Sequence, residues 1–153
     1  MTVVFALLDE STDPREPWRG EPEPAPEPRP LGTLGRVLVV DDDELLRRVV
    51  GRMLEEAGYE VMLAANGFEA LSCVNVADPF DVVVADLRMP GMSGRTLGER
   101  LALLQPGLPI LYISGYTSDW QPELATRDTS AFLPKPFAES DLLQSLRTLL
   151  GNR

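Results

Sequence analysis

Apolar residues are arranged along this chain in two different patterns, short continuous runs and helical spacing. Five short, mainly apolar runs are typical of strands buried in a parallel sheet. The runs are Val37–Val40, Tyr59–Ala64, Val82–Ala85, Ile110–Ile113 and Phe132–Pro134. Between them, apolar residues recur at intervals of three and four, which is the spacing of an amphipathic helix. The pattern therefore predicts a regular alternation of strand and helix.

The first predicted helix shows its signals most fully. Its apolar stripe runs from Leu45 to Leu54, Asp43 is placed to cap its amino end, and Gly58 is placed to end it. Further helices are predicted at Glu69–Val76, Thr96–Leu104 and Ser118–Thr126, and after Pro136 with leucines from Leu142 to Leu150. Five such strand–helix units predict an α/β fold, a doubly wound parallel sheet with helices on both faces.

Polar side chains follow four of the predicted strands at the point where each strand ends. These residues are Asp41, Asp42 and Asp43 after the first strand, Asp86 after the third, Ser114 after the fourth and Lys135 after the fifth. In open parallel sheets, the ligand site lies at the carboxyl ends of the strands. If the four strands are neighbours, carboxylates, a hydroxyl and an ammonium share one crevice. That combination suits a divalent cation and a phosphoryl group.

The acidic run after the first strand is, taken alone, as consistent with a capped helix as with a metal site. However, adjacent carboxylates and a further one from a neighbouring strand would repel each other unless a cation lay between them. Mg²⁺ prefers a few carboxylates together with water and phosphate oxygens. The recurrence of polar residues at four strand ends therefore favours a magnesium site.

Composition limits the classes of function. With 153 residues and 44% hydrophobic content, the chain suits one domain with a core. A net charge of −10 and the lack of a basic cluster argue against nucleic acid as a direct partner. There is no histidine, which removes any His-based metal site, and the lone Cys73 cannot form an internal disulfide.

The first 35 residues differ from the rest of the chain. Residues 9–35 hold half of the 14 prolines, with Glu-Pro alternation, and we interpret them as an extended linker. Residues 1–8 are apolar and are interpreted as a strand-like remnant of a preceding domain, and residues 36–150 as the globular domain. The apolar segment is too short to span a bilayer and lacks the basic start of a signal peptide. We therefore expect a cytoplasmic protein whose leading segment makes no membrane contact.

Four motifs together resemble the response-regulator receiver domain of two-component signalling. They are Val37–Asp43, Asp86–Gly94, Tyr112–Gly115 and Phe132–Phe137, in the order and spacing of that family. The resemblance covers roughly Arg36–Leu150. It implies a flavodoxin-like fold with strand order 2-1-3-4-5 and a phosphoacceptor function in a phosphorelay.

The resemblance also implies roles for the acidic residues. Asp86 would accept a phosphoryl group from a phosphohistidine on a histidine kinase or phosphotransfer protein. Asp42 and Asp86 would bind Mg²⁺ through their side chains, Arg88 through its backbone carbonyl, and Asp41 mainly through water. The domain would catalyse its own phosphotransfer and dephosphorylation. Because Arg88 lies close to the path of the attacking water, its side chain is expected to alter the rate of dephosphorylation.

The resemblance also implies catalytic roles for Ser114 and Lys135, and switch roles for Ser114 and Phe132. Ser114 would hydrogen-bond the phosphoryl group, Lys135 would pair with it, and Phe132 matches the switch aromatic. The Lys135–Pro136 bond would be the cis peptide that directs the lysine. Phosphorylation would then bias the surface formed by the fourth helix, the fifth strand and the fifth helix, which also allows a homodimer. For Phe132, ordinary core packing is the competing interpretation.

Two contexts and two other functions stay open. The Pro-rich linker and the short residue 151–153 tail favour the carboxyl-terminal receiver of a hybrid sensor histidine kinase, with a free-standing receiver as the next choice. A haloacid-dehalogenase-type phosphatase would use Asp41 but needs a later acidic pair, for which only Glu139 and Asp141 are available. It would also leave Asp86 unexplained. A phosphorylation-independent binding module is the third possibility.

Overall fold

Five parallel strands form one sheet in the computed structural model, which describes residues 33–76, 79–116, 118 and 129–151. The strand order is β2-β1-β3-β4-β5, and all four neighbouring pairs are parallel. The strands are β1 Arg36–Val40, β2 Glu60–Ala64, β3 Val82–Asp86, β4 Ile110–Ser114 and β5 Ser130–Pro134. The predicted fold class and strand order are confirmed.

Four helices lie in the described part of the chain. They are α1 Glu44–Ala57, α2 Gly67–Val76, α3 Gly94–Leu104 and α4 Glu139–Gly151. The helix predicted at Ser118–Thr126 falls outside the described residues apart from Ser118, so the last predicted helix is α4 here. The apolar remnant at residues 1–8 and most of the linker at residues 9–35 also fall outside them, and those boundaries stay predictions.

Apolar side chains fill both faces of the sheet. Val50 and Leu54 of α1 and Leu146 of α4 belong to the cluster on one face, whereas Ala70 of α2 and Leu97 of α3 belong to the cluster on the other. Helices therefore cover both faces, as a doubly wound sheet requires. The central strands are buried from both sides, which explains why their sequences are continuous apolar runs instead of alternating ones.

The ends of α1 match the predicted signals. The carboxylate of Asp43 accepts hydrogen bonds from the backbone N–H groups of Leu45 and Leu46, at 3.0 and 3.2 Å. Gly58 ends the helix in the left-handed region with φ 109°. The apolar stripe is wider than the surface that the core covers, because Leu45 is 73% exposed and Val49 is 41% exposed.

No helix among the described residues is both long and apolar enough to cross a bilayer.

Candidate functional site

Three carboxylates meet at the carboxyl edge of the sheet. Because β1 and β3 are parallel neighbours, Asp41, which follows β1, and Asp86, which ends β3, lie at the same edge. With Asp42, they offer carboxylate oxygens that all lie within 4.8 Å of one another. Asp41 and Asp86 are buried, whereas Asp42 is exposed. Strand pairing thus brings together the acidic residues that the sequence predicts.

Lys135 reaches this cluster from the end of β5. Its Nζ lies 3.1 Å from Oδ2 of Asp86 and 3.8 Å from Oδ2 of Asp41. The backbone of Lys135 is held by a 2.9 Å hydrogen bond from its N–H to the carbonyl of Ser114, at the end of the adjacent strand. The Lys135–Pro136 peptide bond is cis, as the family resemblance implies. The 3.1 Å contact directs the ammonium at the carboxylate of Asp86.

Each buried carboxylate divides its two oxygens between different partners. Oδ1 of Asp86 accepts a hydrogen bond from the backbone N–H of Arg88 at 3.0 Å, and Oδ1 of Asp41 accepts one from that of Asp43 at 2.9 Å. In both residues, Oδ2 is the oxygen that pairs with Lys135. The local turns thereby fix the side-chain orientation and leave the second oxygens to face a shared space.

The side chains around this space carry more negative than positive charge. Burial raises the pKa of Asp41 from 3.8 to about 6, and repulsion from Asp86 adds to the rise. The hydrogen bond from Asp43 and the charge of Lys135 act in the opposite direction. Three carboxylates facing one ammonium leave an excess of negative charge that a cation would offset. Their hard oxygen atoms form a donor set that fits a divalent cation of the magnesium type.

Ser114 ends β4, the neighbour of β3, and is 1% exposed. Its Oγ accepts a hydrogen bond from the backbone N–H of Tyr116 at 3.1 Å. Phe132 lies in β5 opposite Tyr112 and is half-buried against one of the two core clusters. These positions agree with a hydroxyl beside the acceptor strand and an aromatic side chain on the next strand. Their switch roles stay predictions.

Contacts that the sequence did not predict surround the cluster. The guanidinium of Arg88 lies over the ring of Tyr116, with its central carbon 3.9 Å from the ring centroid. Nη1 of Arg47 donates a 2.7 Å hydrogen bond to the backbone carbonyl of Asp41. Asp41 precedes α1, and a separation of six residues is not a helical spacing, so the sequence offered no signal for this contact. For Tyr116 there was none, because it follows the last strand residue in a loop.

The comparisons with known proteins agree with this geometry. The family model of the response regulator receiver domain matches residues 37–147. The chain is 40% identical over 117 residues to the response regulator MprA of Mycolicibacterium vanbaalenii, covering 75% of this chain and 50% of that protein. It is 35% identical over 116 residues to the sensor kinase CckA of Brucella abortus, covering 74% of this chain and 12% of that protein. The chain thus spans half or less of the length of these curated relatives.

A solved structure with the same fold is that of the response regulator protein TrrA from Thermotoga maritima in complex with Mg²⁺-BeF. It is 30% identical to this chain, with a TM-score of 0.68, and the match covers 75% of this chain and 98% of TrrA. The fold, the order of the motifs and the sequence identities therefore all agree with the family model that matches residues 37–147.

Proposed function

We propose that this chain, which belongs to the response regulator receiver domain family, accepts a phosphoryl group on Asp86 from a phosphohistidine of a partner protein. The observation that carries the proposal is the setting of Asp86. Its carboxylate ends β3 at the ligand edge of the sheet, 3.1 Å from the ammonium of Lys135 and beside the carboxylates of Asp41 and Asp42. A nucleophile and the charges that a phosphoryl group requires thus lie together.

The acidic cluster supports Mg²⁺ as the resident ion. We propose Asp42 and Asp86 as side-chain ligands, Arg88 as a backbone carbonyl ligand, and Asp41 as a ligand mainly through water. When bound, Mg²⁺ offsets the repulsion between these carboxylates and an incoming phosphoryl group. The Mg²⁺-BeF complex of TrrA supports the assignment, because TrrA shares this fold.

The chain's own residues supply positioning and charge for the transfer. A carboxylate oxygen of Asp86 attacks phosphorus, the P–N bond of the phosphohistidine breaks, and its electron pair returns to the imidazole. Such transition states are loose, so orientation and positive charge matter more than a strong base. Lys135 pairs with the transferred group, and the hydroxyl of Ser114 donates a hydrogen bond to it. Movement of Ser114 then lets Phe132 change position.

The partner class follows from the phosphohistidine donor. A histidine kinase or a phosphotransfer protein would supply the phosphoryl group in the cytoplasm. The output surface would comprise the helix predicted at Ser118–Thr126, β5 and α4, with a homodimer through that face as a further prediction. The hybrid-kinase context also stays a prediction, because the relatives include a response regulator as well as a sensor kinase.

Phosphorylation by a small donor tests the proposal. The full chain is incubated with acetyl phosphate and Mg²⁺ and its intact mass is measured, with Asp86→Asn and Asp42→Asn treated in parallel. We expect wild type to gain one phosphoryl group, Asp86→Asn to gain none, and Asp42→Asn to gain it only slowly. Omission of Mg²⁺ should abolish the gain in wild type and in Asp42→Asn.

Other outcomes point to the remaining interpretations. A folded wild type that gains no phosphoryl group from acetyl phosphate or from a phosphorylated histidine kinase would contradict the proposal and favour a binding module. Steady phosphate release that survives Asp86→Asn would instead indicate phosphatase chemistry at Asp41. The structure gives that alternative no support: the carboxylate of Asp141, one of the two later acidic residues, accepts the N–H of Ala138 as a helix cap.

A further inference from the structure

The strand β2 lies at one end of the sheet and has β1 as its one neighbouring strand among the described residues. Two hydrogen bonds show which of its backbone groups face β1. The N–H of Glu60 donates to the residue just before β1 at 2.9 Å, and the carbonyl of Ala64 accepts from the residue just after β1 at 3.2 Å. Because backbone groups alternate in direction along a strand, those of Val61 and Leu63 point to the outer side of β2.

The outer side of β2 lacks the features that usually block the pairing of an edge strand. Such strands are protected by lysine, proline, a bulge or a covering segment. β2 contains neither lysine nor proline, and all five of its residues pair with β1 in one register, without a bulge. Its one charged side chain, Glu60, lies 3.4 Å from the guanidinium of Arg36, and Leu63 is 40% exposed. The strand therefore offers outward hydrogen-bonding groups beside an exposed apolar side chain.

The amino-terminal segment of this chain has the sequence of a partner strand. Residues 2–8, which lie outside the described part of the chain, read Thr-Val-Val-Phe-Ala-Leu-Leu. They contain no charge, proline or glycine, and they combine β-branched, aromatic and aliphatic side chains. An extended segment of this kind adds readily to an exposed strand, because main-chain hydrogen bonds hold it and apolar side chains stabilise it. The chain thus carries both a strand with an open side and a segment suited to cover it.

The Pro-rich linker joins the globular domain next to β2. The backbone N–H of Leu34 donates to the carbonyl of Gly58 at 2.9 Å, two residues before β2 begins. Residues 9–33 connect the apolar segment to this point. An extended Pro-rich chain advances about 3.1 Å per residue, whereas the five residues of β2 span about 17 Å. The linker is therefore long enough for residues 2–8 to reach either end of β2 within one molecule.

We propose that residues 2–8 add to the outer side of β2 as a sixth strand of the sheet. Their backbone pairs with the outward N–H and carbonyl groups of Val61 and Leu63, and their side chains cover the exposed part of Leu63. A second copy of the chain offers the same segment, but the linker gives the segment of the same molecule an effective concentration on the order of 1 mM. The added strand also prevents β2 from pairing with another molecule. The segment then belongs to this domain and not to a preceding one.

Amide hydrogen exchange of the full chain, measured residue by residue by NMR, tests the proposal. The amides of Val61 and Leu63 should exchange about tenfold more slowly in wild type than in Phe5→Asp, which places a charge in the added strand. Ala25→Asp adds the same charge within the linker and should exchange as wild type does. The amide of Met62, which faces β1, is the internal control and should change little. An equal change at Met62 would indicate a general loss of stability and would overturn the proposal.

A second variant and a measurement of mass identify what covers β2. Val4→Pro removes a strand N–H without adding charge and should speed exchange at Val61 and Leu63 as Phe5→Asp does. Protection of these amides that does not depend on protein concentration supports the segment of the same chain. Protection that rises together with a dimer, detected by light scattering and abolished by Phe5→Asp, would assign the strand to a second copy and overturn the proposal. Equally fast exchange in wild type and both variants would show that residues 2–8 do not pair with β2.

Discussion

Asp41 is a carboxylate that the fold holds almost out of contact with water, at 4% exposure. Burial is the main reason that its pKa rises from 3.8 to about 6. Because one pKa unit corresponds to about 1.4 kcal/mol, ionised Asp41 costs the folded state up to about 3 kcal/mol. The folded pKa lies above the ordinary value, so the folded protein gains stability as pH falls from 6 towards 4. It loses that contribution as pH rises through 6.

Asp41→Asn should therefore stabilise the protein at high pH in the absence of divalent cations. Asn removes the charge and keeps an oxygen that can accept the hydrogen bond from Asp43. We expect the free energy of unfolding to exceed that of wild type by about 1–3 kcal/mol at pH 8, and the difference to shrink towards pH 4. Urea unfolding at several pH values measures it. Asp42→Asn is the matched control, because that carboxylate is exposed; its effect should be smaller. If Asp41→Asn were less stable than wild type at pH 8, the conclusion that the ionised carboxylate of Asp41 destabilises the folded protein would be wrong.

The site residues that lie at strand ends could be predicted from the sequence. The positions of Asp41, Asp86 and Lys135 follow from runs of apolar residues and from the rule that parallel strands end at one edge. The contact between Arg88 and Tyr116 was not predictable in this way. Both residues lie in loops, where no hydrophobic period fixes the course of the backbone or the direction of a side chain.

The start of α3 is an element that the fold packs directly on the acceptor strand. Its first residue, Gly94, donates a hydrogen bond from its N–H to the carbonyl of Leu87 at 3.0 Å. A Cβ at position 94 would lie 2.9 Å from Cα of Leu87 and would collide with the backbone carbonyl of Asp86. Glycine is therefore needed here for close approach, and the helix start helps to position the end of β3.

Gly94→Ala should thus destabilise the protein by about 1–3 kcal/mol, the usual cost of overpacking. The obstacle is backbone, which cannot move aside as a flexible side chain would. Thermal or urea unfolding measures the loss. The matched control is Gly151→Ala at the end of α4, where nothing lies within 4 Å of an added Cβ; its stability should stay the same or rise slightly. Equal stabilities of Gly94→Ala and wild type would refute the packing role.

Element order was predictable from the sequence, whereas several boundaries were not. The predicted start of α3 was Thr96, but the helix begins at Gly94 because Oγ of Ser93 accepts the N–H of Thr96 as its cap. The predicted start of β5 was Phe132, but the strand begins at Ser130, which pairs with Ile110 of β4. In both cases the element begins before its first apolar residues. The pattern of apolar residues does not show the polar residue, Ser93 or Ser130, at which the cap or the strand pairing starts.

At the scale of the whole molecule, the charged side chains at the two edges of the sheet differ in their partners. At the amino edge, the N–H of buried Arg36 donates to Oδ2 of Asp81 at 2.7 Å. The guanidinium of Arg36 lies 3.4 Å from Glu60 and 4.7 Å from the ring centroid of Phe80. The guanidinium of Arg36 therefore has a carboxylate partner, and the carboxylate of Asp81 has a backbone N–H donor. At the carboxyl edge, three carboxylates face Lys135, so an excess of negative charge lies where the proposed ligand would bind.

Because the excess of carboxylates lies at the carboxyl edge, we predict that Mg²⁺ stabilises the folded protein by binding at that edge alone. A ligand that binds only the folded state at a hundred times its Kd adds about 2.7 kcal/mol, and unfolding temperatures should rise accordingly. The increase should be larger at pH 8 than at pH 5, because protonation of Asp41, whose pKa is about 6, competes with the metal. It should vanish in Asp86→Asn. NaCl of equal ionic strength controls for general screening of the carboxylates.

Asp81→Ala provides the control at the opposite edge. It deprives the buried N–H of Arg36 of its acceptor, which should lower the free energy of unfolding by about 1–3 kcal/mol. Since that edge lies away from the acidic cluster, the Mg²⁺-dependent increase should keep its full size in Asp81→Ala. An increase that persists in Asp86→Asn, or that NaCl reproduces, would place the effect of the ion elsewhere than among these three carboxylates.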